Sequence, residues 1–556
     1  MLRRRKVLLA LLVIAGLAFF VRCLHLFDSG HFYIISADSH LFHWMADRVM
    51  QNQPIPTDVQ PSGLTYPLAY LSEAFGFVFQ MSNEDALAFV SRFLPPLLGA
   101  LTAVVIYLAV SKMYDRRMGL CSALAWAVLP HAYFIQGAGY LDRDGLNVPL
   151  IMVAALAFYA STKWHPRIRG RDIGWLLAGL LVVGLELVLF LEWSWLGPTL
   201  LLAIVAAFFL TELLLRLLQY EDTNLAAGYR NFRQRFFSRA RAALKQTRWQ
   251  AFALIISLNA LVAFTNVGGV ASETFNFIKT LVGAGSGEIA EMGGLRASDL
   301  VLFQFFVLLI PIGLFLIIMR LREADLLFLS WFVVLFILSL FARRIVLYAT
   351  PAAAVIGAVV VANLLDFQYS RGLERSIQKI VAVMTVGILV LLSSLAHSLG
   401  SEPRVAATTE WQEALEYIRD NTEEDARIMT WWDYGYWILD MAQREPVVDG
   451  GLNGHSTYTD DNIGWAYCTP DASEAVEVMK AHSADYLVFS TVDLQILPVI
   501  ASHAASRAGE VQDLSQSLYY RSVMDGTFQS EDGLERVYPD SSVNSPDVVV
   551  LRLNQE

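Results

Sequence analysis

The sequence predicts a polytopic α-helical membrane domain, with about 11–13 transmembrane helices at roughly 20 apolar residues each, followed by an external mixed α/β domain. Three observations carry this. Only 17% of the 556 residues are charged and 55% are hydrophobic, where a soluble chain carries about 25% charged residues. Apolar runs of spanning length recur up to about residue 400. Beyond that point the composition changes abruptly: residues 401–556 hold 28 acidic and 9 basic side chains, a balance of −19, against +8 for the remainder and −11 overall. The chain therefore divides into a membrane domain over 1–400 and a soluble domain over 401–556.

The apolar runs lie near 7–27, 87–110, 118–134, 146–162, 173–191, 196–218, 250–268, 300–319, 325–341, 345–365 and 379–398. Lys and Arg choose the sides, because short cytoplasmic loops retain positive charge. An inward N-terminus puts 23 of the 41 basic residues in inner loops, whereas the long outer loop 28–85 has only Arg48. The expected location is the plasma (inner) membrane, with the N-terminus cytoplasmic. The loops 28–85, 135–145 and 269–299 and the C-terminal domain then face the periplasmic or extracellular side. The opening MLRRRK and its apolar run have the form of a signal peptide; without a small-x-small cleavage site they read as an uncleaved first helix.

Three Cys are too few for a disulfide framework and form no C-x-x-C pair. The acidic balance argues against a nucleic-acid partner. The polar chemistry gathers instead in the outer loops. Asp38 lies in IISADSHLFHWMADRV, Asp142 and Asp144 in GYLDRDGLN, and Glu273, Glu288 and Glu291 in the third loop, which contains GAGSGEIAEMGG. Oxygen ligands of this kind suit a hard divalent cation such as Mn²⁺ or Mg²⁺, and an extended D-x-D points both carboxylates the same way. Two solvated loop carboxylates are the simpler account of a D-x-D taken alone.

In the soluble domain, five aromatics between Trp431 and Trp437 surround Asp433. An aromatic core turn is one reading. The other is a pocket for a Ser or Thr hydroxyl, which both donates and accepts. Such a pocket rejects ligands that lack the hydroxyl, since its polar groups are then left unpaired. Elsewhere the domain reads as helices at TTEWQEALEYIRD, with Thr409 and Gln412 in capping-box spacing, and at PDASEAVEVMKAH, with Asp471 and Glu474 likewise. Strands follow at DYLVFST and DVVVLRL.

WWDYG at 431–435, after many membrane helices and near the start of an external domain, resembles the signature of the catalytic subunit family of oligosaccharyltransferase. The resemblance covers essentially the whole chain and implies a GT-C-like fold. It implies transfer of a glycan en bloc from a polyprenyl-diphosphate carrier to Asn of Asn-X-Ser/Thr, with Mn²⁺ or Mg²⁺ as cofactor. The partners implied are the lipid-linked oligosaccharide, an acceptor polypeptide and membrane lipid, with no obligatory subunit. By the same resemblance Asp38 and Glu291 are catalytic, with Glu273 the alternative for the loop Glu, and Asp38, Asp142, Asp144 and Glu291 hold the metal. Trp431, Trp432, Asp433 and Ile496, the last in VFSTVDLQILPVI, bind the sequon, and Arg344 and Tyr436 the lipid diphosphate. Phe303 stands where some members carry an Arg that demands an acidic residue before the acceptor Asn, so that demand is not implied here. Competing readings are a polyprenyl-dependent glycosyltransferase acting on a hydroxyl or lipid, and a transporter with an external binding domain.

Overall fold

The computed structural model describes residues 2–27, 37–55, 64–129, 136–162, 306–320, 322–341, 345–370, 407–450, 463–508, 513–540, 542–543 and 546–554, with isolated positions between 204 and 211. The described helices of six or more residues are α1 (Leu2–Arg22), α2 (Ala37–Met50), α3 (Thr65–Phe79), α4 (Asn83–Met113), α5 (Arg116–Val128), α6 (Arg143–Thr162), α7 (Phe306–Arg320), α8 (Glu323–Ser339), α9 (Val346–Ser370), α10 (Thr409–Asn421), α11 (Ile463–Cys468), α12 (Ala472–Ala481) and α13 (Leu497–Ala508). The strands are β1 (Arg427–Met429), β2 (Glu445–Pro446), β3 (Tyr486–Ser490), β4 (Ser530–Glu531), β5 (Leu534–Tyr538) and β6 (Val548–Leu553). The chain forms two compact units. One takes residues 1–30, 94–138 and 143–401; the other takes 31–93, 139–142 and 402–556. The second unit therefore draws on two segments that precede residue 400.

In the first unit α9 packs against α5, α7 and α8, and α1 against α5. The Ala-rich stretch of α9, with Ala349, Ala352, Ala353 and Ala354 fully buried, has no bulk to hold neighbours off. At Gly313 of α7 an added Cβ would lie within 2.4 Å of the Ile356 carbonyl oxygen, so the two backbones approach as small residues allow between apolar helices. Arg22 ends α1 in full burial, donating to the Ala18 and Ala127 carbonyls and lying 5.4 Å from the Trp126 ring centroid. Among the described residues, Asn83–Met113 and the Val346–Asn363 part of α9 are long and apolar enough to cross a membrane. The predicted runs near 173–191, 250–268 and 379–398 lie outside the described residues.

The second unit is built on a mixed six-stranded sheet of order β2-β1-β3-β6-β5-β4. β1 pairs in parallel with β2 and β3, and the other neighbours are antiparallel. The sequence YLVFS of β3 is buried at every position, as a central strand covered on both faces requires. Both predicted helix caps need adjustment. The N-cap of α10 is Thr408, whose hydroxyl accepts from the Trp411 N–H, not Thr409. Asp471 does cap α12, through the Ser473 N–H, but Glu474 accepts from Thr469 and closes no box. The outer segment 28–85, read from sequence as a loop, carries α2 and α3. Leu41, Phe42, Met45 and Ala46 are buried at the 3–4 spacing of one helix face. Arg48 spans the end of α2 by donating to the Pro54 carbonyl. Pro95 and Pro96 sit inside α4 next to the point, after Phe93, where the chain passes from the second unit to the first.

Candidate active site

The aromatic turn starts where β1 leaves the sheet. Trp431 is extended, Trp432–Tyr434 form a tight 3₁₀ turn, and Gly435–Trp437 continue as helix into a π-helical stretch, Ile438–Ala442. Gln443 ends it with a left-handed φ of 53°. The aromatics divide into two groups. Trp431, Tyr434, Tyr436 and Trp437 are at most 2% exposed. Trp411 of α10 meets Tyr434 at 4.6 Å and Trp437 edge-on at 5.3 Å between ring centroids, contacts that add to plain burial. Trp432 and Asp433 are only partly buried, and the Trp431 indole N–H donates to Asp433 Oδ2 at 3.1 Å. That indole thus holds the carboxylate itself. Gly435 is required by contact: a Cβ there would come within 2.4 Å of the Val448 carbonyl oxygen and 2.6 Å of Asp449 Cβ.

A second turn is tied to the first. Tyr434 donates its hydroxyl proton to Asp493 Oδ1 at 2.7 Å, and the Ser490 N–H donates to Asp493 Oδ2 at 2.9 Å. Ile496 ends that turn, partly buried against the core. Burial pushes the Asp493 carboxyl up to about 7, against the two hydrogen bonds that favour its ionised form. Between pH 3.8, the ordinary value, and about 7 the folded chain keeps this proton while the unfolded chain releases it. The Asp493 contribution to stability is therefore full below the ordinary value and is lost as pH rises toward 7, by about 1.4 kcal/mol per pH unit at most. Thermal unfolding of the wild type and of Asp493→Asn across this range measures the effect. The wild type should lose more stability than the variant as pH rises; parallel curves would exclude the assignment.

In the first unit Asp144 lies in the first turn of α6, so the D-x-D straddles a helix start and is not the extended pair expected. Tyr348 of α9, 1% exposed, donates to Asp144 Oδ1 at 2.6 Å. Asn147 donates to the Tyr348 hydroxyl oxygen, and Trp331 to its carbonyl. Gln136 pins the same entry by donating to the Gly145 carbonyl at 2.7 Å. Sequence reading singled out neither Tyr348 nor Gln136; the only signal for Tyr348 was its place four residues after Arg344.

The other expected residues fall as follows. Asp38 is in the first turn of α2. Asp38, Asp142, Trp431, Trp432, Asp433, Tyr436 and Ile496 belong to the second unit, and Asp144 to the first. Asp142 and Asp144 are 7% and 5% exposed. Tyr436, expected at a lipid diphosphate, is buried with its hydroxyl against Gly450 and so underlies the aromatic turn. Glu273, Glu291, Phe303 and Arg344 lie outside the described residues. Among the described residues no three His, Cys, Asp or Glu side chains group closely enough to hold a metal.

One unit is thus made of packed apolar helices, and the second combines a mixed sheet, an aromatic–carboxylate turn and the helix α2. Among solved structures, the archaeal oligosaccharyltransferase AglB of Archaeoglobus fulgidus shares that fold, with a TM-score of 0.70 at 16% identity over 96% of this chain and 80% of that one. Residues 64–399 match the family model described as oligosaccharyl transferase STT3, N-terminal. The chain belongs to the STT3 family. Its curated relatives include dolichyl-phosphooligosaccharide-protein glycotransferase 2 of Pyrococcus furiosus, 32% identical over 120 residues, which are 20% of this chain and 14% of the relative. Another is the glycosyltransferase subunit stt3 of Schizosaccharomyces pombe, 26% identical over 237 residues, 33% of this chain and 31% of the relative. The matched segments thus span less than a third of either relative's length.

Proposed function

We propose that this chain is an inverting, metal-dependent oligosaccharyltransferase. It transfers a glycan en bloc from a polyprenyl-diphosphate carrier to the side-chain nitrogen of Asn in Asn-X-Ser/Thr. The observation that carries this reading is the partly buried Asp433, held by the Trp431 indole at 3.1 Å on a rigid aromatic base, in the same compact unit as Asp38 and Asp142. The names of the relatives support it, as does the AglB structure, solved with an inhibitory peptide and a dolichol-phosphate.

In this reading Trp432 and Asp433 receive the sequon hydroxyl and Ile496 packs on the Thr methyl. Asp38 and Glu291 accept hydrogen bonds from the Asn amide, drawing its nitrogen lone pair out of conjugation. The nitrogen attacks the anomeric carbon as the bond to the diphosphate oxygen breaks, and a carboxylate takes the amide proton. Arg344 suits the leaving diphosphate because its guanidinium can hold phosphate oxygens in a fork. The donor set fits a hard cation, being all carboxylate, with Asp142 and Asp144 withdrawn from water. When bound by Asp38, Asp142, Asp144 and Glu291, Mn²⁺ or Mg²⁺ supplies charge neutralisation at the leaving group. The N-terminus lies on the cytoplasmic side, and the loops 28–85, 135–145 and 269–299 and the C-terminal domain lie on the periplasmic or extracellular side.

The test uses the full chain in detergent, a lipid-linked oligosaccharide extract, and fluorescent Asn-Ala-Thr and Gln-Ala-Thr peptides. A mass shift on the Asn peptide alone is expected with Mn²⁺, lost on adding EDTA and restored by excess metal. No shift with a cognate donor present would overturn the assignment in favour of a hydroxyl- or lipid-directed glycosyltransferase.

A further inference from the structure

Asp440 lies five residues beyond Gly435, inside the π-helical stretch that continues the aromatic turn. Such stretches are uncommon and concentrate at functional places. Its side chain is 8% exposed and both oxygens are engaged from one helix: His40 Nδ1 lies 2.6 Å from Oδ2, and His43 Nδ1 lies 2.8 Å from Oδ1. Both histidines belong to α2, two and five residues after Asp38. The His40 ring also meets Trp437 edge-on at 6.3 Å. Among the described residues its Nε2 is buried without a hydrogen-bond partner, so the tautomer with its proton on Nδ1 donates to Asp440 and leaves no buried N–H unpaired.

We propose that Asp440 is a positioning residue: by gripping His40 and His43 it sets the helix that carries Asp38 against the segment that follows the WWDYG turn. The sequon pocket and the catalytic carboxylate are thereby held in one register. This rests on the reading of Asp38 as catalytic. A displacement of about 1 Å at a reacting group can cost 10²-fold in rate, and removing one partner of a buried ion pair leaves the other uncompensated. The opposed charges support the grip. Burial alone would raise the Asp440 pKa, but the His43 charge and the two imidazole hydrogen bonds hold it well below the usual carboxylate range.

The experiment measures kcat and KM for the acceptor peptide in Asp440→Asn, His43→Ala and His43→Asn full-length proteins, with hydrogen exchange of the backbone amides of 37–50. In Asp440→Asn, kcat should fall by roughly 10- to 100-fold with KM for the peptide nearly unchanged, and exchange across 37–50 should quicken. His43→Asn should recover most of what His43→Ala loses, because its amide offers an N–H near the place of Nδ1. Wild-type kcat in Asp440→Asn, or equal loss in the two His43 variants, would overturn the proposal. Where Asp440→Asn does not fold, the His43 pair decides. If the wild type transfers nothing, the catalytic reading fails separately, and unchanged exchange in Asp440→Asn would then sink the grip itself.

Discussion

Asp38→Asn should lower the single-turnover transfer rate by about 10²- to 10⁴-fold, the range spanned by a positioned proton acceptor, while acceptor-peptide binding changes little. The substitution keeps the shape of the side chain and its place in the first turn of α2. In the proposed mechanism it removes the charge that attracts the amide proton and weakens one ligand of the cation. α2 remains anchored by its buried face of Leu41, Phe42, Met45 and Ala46, so loss of fold does not mimic the effect. Asp38→Glu provides the complementary test. Charge is kept, but the carboxylate is carried about one methylene too far, and a misplacement of about 1 Å is worth up to 10² in rate. Fluorescent-peptide turnover with donor in excess gives the rates, and anisotropy of the same peptide gives binding. An Asp38→Asn rate within threefold of wild type, where a loss of about a hundredfold or more is expected, would remove Asp38 from the mechanism.

Asp433→Asn should collapse discrimination for the sequon hydroxyl. A site that pairs a hydroxyl rejects the analogue lacking it by about 10⁴–10⁵, so the wild type should turn over Asn-Ala-Thr far faster than Asn-Ala-Ala. Asn at 433 still fits, but its NH₂ can face the Trp431 indole N–H or the ligand with a donor where an acceptor is needed. The ratio of kcat/KM for the two peptides should drop by at least about a hundredfold, chiefly through loss on the Thr peptide. Trp431→Phe separates orientation from charge. It keeps the ring but deletes the N–H that holds Asp433 Oδ2, and a hydrogen bond to a charged group is worth about 1.5–3 kcal/mol. The corresponding loss in kcat/KM is roughly tenfold or more. Unchanged discrimination in Asp433→Asn would move hydroxyl recognition elsewhere.

Several features were legible in the sequence because they are written locally. Apolar runs mark α1, α4, α6 and α9. The alternation of turn residues with β-branched runs marks β3 and β6, and WWDYG marks the turn after β1. Local chemistry also misled at close range. Thr408 and Thr409 compete for one cap, and the choice between them follows from where Trp411 must enter the core. The segment carrying α2 and α3 escaped notice because its helices, 14 and 15 residues long, are shorter than a membrane span.

The sequence by itself determined the long apolar helices, the strands β3 and β6, the acidic loop residues and the aromatic turn, since each depends on neighbours within a few positions. Only the tertiary structure decided which of those residues meet. It gave Tyr434 to Asp493 across 59 positions, Tyr348 to Asp144 across 204, and Asp440 to His43 and His40 across 397 and 400. It also divided the five aromatics, burying Trp431, Tyr434, Tyr436 and Trp437 and leaving Trp432, beside Asp433, partly open. A buried hydrogen bond is selected by the cost of leaving either partner unpaired inside the folded chain. That cost arises only once distant segments are packed together, so it leaves no periodicity or spacing along the chain.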